Sequence, residues 1–270
     1  MLPSIDRVTH LIEEAAADEI MPRFRRLAAG DVREKAPGDL VTIADEAVEA
    51  RLAPLLTSLI PGSTIVGEEA TAADLGHLDR LLGDDPVWII DPIDGTSNFA
   101  EGTPAFAVMV ALLHGGRISA AWIHDPVNAR TAVAAAGEGA WLGNQRLAVA
   151  AAPEAPADMS GVLLAGYFGS RELRRKVDTR RGRVRGVRSV RCAGFEYLRL
   201  VCSEMHFALF TKLMPWDHAA GVLLHREAGG HAAYLEGGAY EPAAINRSGL
   251  LLAPSPDSWR KLHEVLMGDA

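Results

Sequence analysis

The chain has few of the features that define several specialised protein classes. Cysteine is rare: Cys192 and Cys202 are the only two in 270 residues. Both fall in one predicted helix, too far apart along it to form a disulfide comfortably. No apolar run approaches the roughly 20 residues of a membrane-spanning helix, and we see no low-complexity block or internal repeat. These absences argue against a disulfide-stapled scaffold, a helical membrane protein and a repeat array.

Positive charge is also scarce, since the chain contains 27 Lys and Arg but 35 Asp and Glu, which gives a net charge of −8. An acidic chain is a poor general ligand for nucleic acid or for an anionic membrane surface, so we expect neither partner. Phosphate substrates remain compatible, because bound metal ions invert the sign of a local site. Charges interrupt the first 14 residues, unlike a signal peptide. With two reduced core cysteines, this predicts a cytoplasmic protein.

What the chain does contain is apolar sequence in the amount that a globular protein needs. Hydrophobic residues make up 49% of the chain and charged residues 23%. A length of 270 residues permits one large domain or two closely associated halves. The Ala- and Pro-rich stretch 148–156 is the best candidate boundary. We therefore divide the chain into an N-terminal half, residues 1–152, and a C-terminal half, residues 153–270.

Apolar periodicity and turn residues predict alternating helices and strands. Helices are expected over Ile5–Leu27 and from a Thr42 cap to about Ile60, and the unpatterned segment Asp31–Leu40 between them is expected to be a loop. Phe106–Ile123 reads as a hairpin turning at two glycines. Further strands are expected at 63–67, 131–136, 140–142, 161–165 and 207–213, and further helices at 192–203, 215–228 and 257–267.

The most informative stretch lies before that hairpin. Val87–Ile90 reads as a buried strand that ends at Asp91, because Pro92 cannot donate a ladder hydrogen bond. Asp94 follows, and Gly95 begins a turn into a helix whose first N–H groups lack partners. Paired carboxylates beside free N–H donors suit a cation and a phosphate held side by side. Taken alone, the two acids also fit a plain strand, turn and helix cap.

The twelve residues Trp88–Phe99, taken together, favour the site for a cation and a phosphate. This stretch resembles the first signature of the inositol monophosphatase-like family of metal-dependent, lithium-sensitive phosphatases. Three more stretches resemble that family. They are Gly67-Glu68-Glu69, Lys35–Thr42 with Asp45, and Trp216–Gly221 followed by Glu227–Gly230. The matches span residues 35–230. The resemblance implies a layered αβαβα sandwich of mixed α+β and α/β character, of the inositol monophosphatase and fructose-1,6-bisphosphatase type, commonly dimeric.

The resemblance also implies roles for particular residues. Two or three Mg²⁺ ions would be held by Glu68, Asp91, the Ile93 carbonyl, Asp94 and Asp217. Thr96, with Asp45 or Glu68, would orient the attacking water, and the N–H groups of Gly95 and Thr96 would hold the phosphate. Oxygen ligands favour Mg²⁺ over Zn²⁺, and the nine histidines show no metal spacing. His218, beside Asp217, is expected on the helix surface or behind the ligands.

Several positions depart from the family pattern. Glu101 replaces a basic or polar residue, and His225 replaces a small apolar one. On the substrate side, Phe210 stands where the family has an acid seven residues before Asp217. The usual Gly-Thr/Ser-Ala helix start is here Arg191-Cys192-Ala193. We expect Arg191, Cys192, Ala193, Phe210 and Asp217 to form the substrate wall.

These departures put specificity for inositol in question without affecting the phosphatase chemistry. The sequence therefore predicts a Mg²⁺-dependent phosphomonoesterase acting on a small phosphorylated metabolite such as inositol 1-phosphate. Histidinol phosphate, a sugar bisphosphate and 3′-phosphoadenosine 5′-phosphate are alternative substrates within the family. A regulatory binding protein on the same fold is the alternative of another class. The ten Lys and Arg within Arg171–Arg191 are expected to form a solvated face, except Arg191, which could bind a second phosphate.

Overall fold

The computed structural model describes residues 2–165 and 170–268. Within these residues the α-helices are α1 Ile5–Ala15, α2 Ile43–Leu59, α3 Glu68–Ala73, α4 Thr96–Ala100, α5 Arg171–Arg180, α6 Ala193–Val201, α7 Pro215–Glu227 and α8 Pro256–Met267. A π-helical turn, Ala16–Ile20, continues α1. Short 3₁₀ helices cover Leu75–Leu82, Pro156–Asp158 and Arg181–Arg183. No helix of the described part is both long and apolar enough to cross a membrane.

The strands form three sheets. A hairpin pairs β1 Val32–Ala36 with β2 Asp39–Thr42. The seven-stranded sheet keeps chain order and contains β3 Thr64–Gly67, β4 Val87–Asp94, β5 Ala107–His114, β6 Arg117–Asp125, β7 Arg130–Ala135, β8 Gly139–Leu142 and β9 Gln145–Leu147. The five-stranded sheet, in the order β11-β10-β12-β14-β13, contains β10 Ser160–Leu164, β11 Arg185–Gly186, β12 Phe207–Phe210, β13 His231–Tyr234 and β14 Leu250–Ala253.

Alternating side chains in the two large sheets explain the layers. In β4, Trp88 and Ile90 pack in one apolar cluster with α1 and α2, whereas Ile89 packs in another with α6 and α7. Successive strand residues point to opposite faces, so a strand that is apolar throughout is covered on both sides. The five-stranded sheet does the same, with its Phe207 face against α5 and α8. The layers therefore run helix, sheet, helix, sheet, helix, and the expected αβαβα sandwich is confirmed.

Several local predictions are confirmed and others are wrong. Thr42 caps α2 through a complete capping box, and β5 and β6 form the expected hairpin. Asp31–Leu40 is not a loop, because β1 and β2 occupy most of it and turn at Gly38, whose φ of +80° suits glycine. The helix expected over Ile5–Leu27 is shorter, since α1 and its π-turn end at Ile20.

The stretch 148–156 carries no strand or α-helix and connects the last strand of the seven-stranded sheet to the first of the five-stranded sheet. The basic run that follows forms α5, a 3₁₀ turn and β11. Leu173 and Val177 bury one side of α5 against α8, and most of the cations of the run point outward. This arrangement agrees with a solvated charged face.

Candidate active site

A bulge at the end of β4 brings two carboxylates to one face of the sheet. The sequence predicted that the strand ends at Asp91, and this was wrong, because β4 continues to Asp94. Residues three apart on a regular strand face opposite sides. Here Asp91 pairs with Met109 and Asp94 with Ala107, so the two residues of β4 between these pairs oppose a single residue of β5. The extra residue returns Asp94 to the face that Asp91 occupies.

The first turn of α7 adds a third carboxylate. Oxygens of Asp91, Asp94 and Asp217 all lie within 4.8 Å of one another. Asp91 is 1% exposed, and its Oδ1 has no hydrogen-bond partner among the described residues. A buried, unpaired carboxylate oxygen is costly unless a cation satisfies it. Three clustered carboxylates suit a hard divalent cation, and no histidine belongs to the cluster.

The N-terminus of α6 fixes the orientation of Asp94. Its Oδ2 accepts hydrogen bonds from the Gly194 N–H at 2.5 Å and the Cys192 thiol at 2.9 Å, and its Oδ1 accepts from the Ala193 N–H at 3.1 Å. Cys192 and Ala193 were predicted to form the substrate wall, and the structure places both against this carboxylate. Their contacts hold Asp94 in place from behind.

Burial raises the pKa of all three carboxylates, and repulsion by neighbouring acids adds to this effect at Asp91 and Asp94. Desolvation, followed by the neighbouring Asp217, raises the pKa of Asp94 to about 7. Desolvation also raises the pKa of Asp91 well above its ordinary value, with further contributions from Glu68 and Asp94. The pKa of Asp217 is raised mainly by burial. A bound cation would reverse these effects, since it stabilises the charged form of each acid.

Glu68 reaches the same cavity from the start of α3 and is paired with a lysine of the β1–β2 hairpin. Lys35 Nζ lies 2.9 Å from Glu68 Oε1 and 3.0 Å from Glu69 Oε1. Burial tends to lower the pKa of Lys35, but Glu68 and Glu69 outweigh it and raise the pKa well above the usual range. The hairpin thereby carries a fixed positive charge to the edge of the acidic site.

Thr96, which is half-buried, and the buried Asp45 form a pair beside the carboxylates. The Thr96 hydroxyl is 3.2 Å from Asp45 Oδ1 and 3.0 Å from the Ile93 carbonyl, both of which can accept its proton. Asp45 is in turn fixed by the α2 capping box, where its Oδ2 accepts from the N–H and hydroxyl of Thr42. Gly95 makes the turn with φ +89°, and a Cβ there would lie 3.0 Å from the Ala105 carbonyl oxygen.

A cavity of about 190 Å³ opens above these groups. Eight of the predicted site residues line it, namely Glu68, Asp91, Ile93, Asp94, Gly95, Thr96, Arg191 and Asp217. Asp45, Cys192 and Ala193 lie directly behind the lining. Sequence reasoning missed Lys212, Asp39 and Ser97. Asp39 and Ser97 stand inside the matched motifs, but nothing in the local sequence marks Lys212.

Phe210 does not belong to the cavity lining, and this prediction needs correction. Its ring is 4% exposed, stacks on Tyr197 at 5.3 Å and tilts against His218 at 4.8 Å. The side chain of β12 at this position points into the apolar layer between the sheets, where a ring is stable and a carboxylate would be desolvated. Phe210 therefore supports the site from behind.

Two departures from the family pattern are in contact although they lie 90 residues apart. Arg191 Nη2 is 2.7 Å from Glu101 Oε2 and donates to Asn98 Oδ1 at 3.2 Å. Both side chains of the ion pair are more than half exposed, at 60% and 55%. Glu101 therefore offsets the positive charge that the sequence assigned to a second phosphate, and the pair stands at the mouth of the cavity.

His225, the third departure from the family pattern, has a structural role. His225 is fully buried in α7, and its Nε2 bonds to the Ala253 carbonyl at 3.0 Å, which ties the helix to β14. Burial lowers the pKa of His225 to about 4, so the ring is neutral near pH 7. A neutral Nε2–H donates to the carbonyl, and this role does not involve the cavity.

Comparison with known proteins identifies the family. The model of the inositol monophosphatase family matches residues 4–270. The chain belongs to the inositol monophosphatase family. It is 35% identical over 225 residues to a protein of Pseudomonas aeruginosa named Nus factor SuhB, covering 80% of each chain. It is 30% identical over 233 residues to the inositol-1-monophosphatase of Bacillus subtilis, covering 84% of this chain and 83% of the other.

The structures agree with the sequences. The extragenic suppressor protein suhB of Bartonella henselae superposes with a TM-score of 0.79 and 25% identity, covering 98% of this chain and all of the other. The two stretches that resemble the family signatures form the β4–α4 segment and α7. The layered fold brings them together around Asp91 and Asp217.

Proposed function

We propose that the protein is a Mg²⁺-dependent phosphomonoesterase that hydrolyses a small phosphate ester to an alcohol and orthophosphate. The observation that carries this proposal is the group of three carboxylates, two of them buried and one with an unpartnered oxygen, beside the turn into α4. Such a site combines cation ligands with backbone donors that can face a phosphate.

Five residues would hold two or three Mg²⁺ ions. They are Glu68, Asp91, Asp94, Asp217 and, through its carbonyl, Ile93. When bound, the ions would neutralise charge on the phosphate and lower the pKa of a coordinated water. Lys35 Nζ donates to Glu68 Oε1 at 2.9 Å, so Oε2 is the oxygen through which Glu68 would bind a cation. The N-terminal half supplies four of these ligands and the C-terminal half supplies Asp217, which also faces the substrate.

The chain's own residues would orient the reactants. When the Thr96 hydroxyl donates its hydrogen bond to Asp45, the lone pairs of the Thr96 oxygen are directed away from Asp45 and can accept a hydrogen bond from a water molecule. Asp45 and Glu68 are the nearby bases, and burial raises the pKa of Asp45 to about 7, a value suited to proton transfer near neutral pH. The N–H groups of Gly95 and Thr96 would hold the phosphate.

The physiological ester belongs to the same proposal. The structure gives no carboxylate at Phe210 to accept the hydroxyl bonds of a polyol, so inositol 1-phosphate should be a modest substrate. Histidinol phosphate, a sugar bisphosphate and 3′-phosphoadenosine 5′-phosphate are the alternatives to be compared. The cytoplasmic location stays a prediction from the sequence, and the homodimer stays a prediction from the family resemblance.

The direct test is release of orthophosphate from a panel of these esters, with Mg²⁺ and with EDTA. We expect turnover of at least one ester that requires Mg²⁺. The absence of any metal-dependent release across the panel would contradict the proposed activity.

Replacing Mg²⁺ by Ca²⁺ should lower kcat about tenfold or more, because the larger ion accepts irregular coordination and would not hold the reactants in line. Matched titrations of the two ions against one ester measure this effect. Equal maximal rates would show that the site does not depend on the stricter geometry of Mg²⁺.

Glu101→Gln should strengthen the binding of inorganic phosphate about threefold, because it releases the charge of Arg191 at the cavity mouth, and exposed pairs of this kind are worth less than about 1 kcal/mol. Calorimetric titration with phosphate is the measurement. Asp257→Asn, which breaks the exposed pair with Arg260 far from the cavity, is the matched control. Identical affinities in all three proteins would place Arg191 outside the binding site.

A further inference from the structure

A second cavity, of about 720 Å³, opens beside the end of the seven-stranded sheet that lies away from the carboxylates. Its wall includes the turn between β5 and β6. Val87 pairs with Leu113 at this end of the β4–β5 ladder, whereas Asp94 pairs with Ala107 at the other end. The described linings of this cavity and of the acidic cavity share no residue. The two cavities are therefore separate sites.

Helix α7 runs from one cavity to the other. Asp217 lies in its first turn and Arg226 in its last turn. The rise of 1.5 Å per residue places the two residues roughly 14 Å apart along the helix axis. Asp217 lines the acidic cavity and Arg226 lines the second one. One helix thus carries an acid to one site and a cation to the other.

Arg226 is half-buried, and no acid of the described part of the chain pairs with it. Its hydrogen bond to the Ala232 carbonyl is 3.4 Å long, although a guanidinium carries five N–H donors. Burial lowers the pKa of Arg226, and the groups that oppose this shift are tyrosines rather than carboxylates. A charge taken out of water without a partner is costly. Arg226 therefore has both charge and donors left for an anion in the cavity.

A second polar group of the same wall also lacks an acceptor. Tyr240 lines the cavity and is 5% exposed, and its hydroxyl is buried without a hydrogen-bond partner among the residues that the structure describes. Arg226 cannot serve as that partner, because a guanidinium has no acceptor atom. An anion bound at Arg226 would bring acceptor oxygens to this wall.

The two acids in the lining do not neutralise Arg226. The Glu227 carboxylate accepts hydrogen bonds from the N–H groups of Gly137 and Gly139, each at 2.8 Å. Glu241 is exposed, and so is Arg117 on the neighbouring hairpin, so these two opposite charges stand at the rim. The charge of Arg226 inside the cavity is left without a counter-ion.

Much of the remaining lining is apolar. Leu81 and Leu223 are buried, Ile118 is half-buried, and Leu82 stands at the entrance with 75% of its surface exposed. Cavities of this size that combine apolar walls with a few polar groups are typical of small-molecule sites. The lining therefore suits a ligand with an apolar body and one anionic group.

We propose that this cavity binds a small organic acid, whose carboxylate pairs with Arg226 and whose apolar body covers the leucines. A guanidinium binds a carboxylate through two parallel charge-assisted hydrogen bonds, which gives both affinity and orientation. The inference goes beyond the proposed phosphatase function, because it concerns a different cavity and needs no metal ion.

The test compares two probes that differ in charge but share the same body. They are 4-phenylbutyrate, which is ionised at neutral pH, and the neutral 4-phenyl-1-butanol. Binding to the full-length protein is measured by calorimetry in EDTA, so that no cation in the acidic cavity can hold the carboxylate. We expect wild type to bind the acid about tenfold more tightly than the alcohol, the scale of one hydrogen bond between charged groups.

Arg226→Met should reduce that preference to less than about twofold, since the apolar contacts stay and the charge is lost. Arg260→Met is the matched control, because Arg260 is an exposed arginine of α8 that pairs with Asp257 outside the cavity. The control should keep the preference. An equal affinity of wild type for the two probes, no binding of either, or a preference that survives in Arg226→Met would each overturn the inference.

Two leucines of the 3₁₀ helix Leu75–Leu82 test the apolar part without touching the core. Leu82→Ser should weaken both probes about threefold, because part of the apolar contact is lost. Leu75→Ser should leave both affinities unchanged, since Leu75 is 68% exposed and does not line the cavity. Equal effects of the two changes would contradict the assigned binding site.

Inorganic phosphate separates an organic acid from a simple anion. Phosphate in EDTA should bind at least tenfold more weakly than 4-phenylbutyrate, because it cannot cover the apolar wall. Phosphate binding that matches 4-phenylbutyrate and is lost in Arg226→Met would overturn the assignment of an organic acid. These experiments contain no turnover step, so their outcome is independent of the phosphatase assays.

Discussion

Asp91→Asn should abolish turnover, with a loss of about 10³-fold or more, the scale of removing one central electrostatic group from an active site. The change keeps the shape of the side chain but removes one of three carboxylates whose oxygens lie within 4.8 Å. It also removes repulsion, so the metal-free variant should unfold at a higher temperature than wild type at pH 8. Phosphate release in Mg²⁺ and thermal unfolding in EDTA measure the two effects.

Asp178→Asn is the matched control for this experiment. Asp178 is exposed on α5, and its distance of 4.0 Å from Arg181 makes their interaction weak. The control should keep wild-type activity and stability. More than a few per cent of wild-type turnover in Asp91→Asn would show that the metal ligands are wrongly assigned. Because the fold should persist in this variant, it also separates phosphatase activity from any regulatory binding role on the same fold.

In EDTA, the free energy of unfolding should fall as the pH rises from about 4 to about 8. Asp45 and Asp94 have pKa values raised to about 7 in the folded protein, mainly by burial, against ordinary values near 3.8. The folded state therefore binds more protons than the unfolded state within this interval, and each deprotonation destabilises it. A single group of this kind contributes about 4 kcal/mol across the window, and coupled groups contribute less than the sum.

Saturating Mg²⁺ should reverse that trend, because the ions bind the ionised carboxylates of the folded state. Chemical denaturation at pH 5, 6, 7 and 8, with EDTA and with Mg²⁺, gives the two curves. Asp91→Asn should flatten the EDTA curve, since fewer acids repel one another. A stability in EDTA that is constant or rises over this interval would contradict the assignment of these acids as buried, mutually repelling groups.

The sequence predicted the parts of the site that are local in the chain. Asp91, Asp94 and Gly95 lie in one short segment whose buried strand and following turn were predicted from apolar residues and glycine, although the strand end expected before Pro92 was wrong. The capping box at Thr42 and the start of α7 near Asp217 are equally local. Each of these features depends on neighbours within four residues, where propensity and hydrogen bonding decide the conformation.

The rest of the site depends on contacts between residues that are far apart in the sequence, and no local pattern predicts such contacts. The contact between Arg191 and Glu101 joins residues from different layers, and each alone looked like an isolated departure. The direction of Phe210 follows from the register of β12 against its neighbours, because a shift of one residue reverses the face of a strand. Lys212 was missed for the same reason, since only the packing of α7 against the seven-stranded sheet brings it to the cavity.

Asp94 belongs to the first half of the chain, yet it is oriented by the backbone of Gly194, 100 residues later. During synthesis the ribosome releases the first half well before the segment that contains Gly194 and Asp217. A nascent chain at that stage has Asp91 and Asp94 without the donors and the third acid that complete their surroundings. Tight binding of the proposed cation would therefore have to wait until the second sheet has folded.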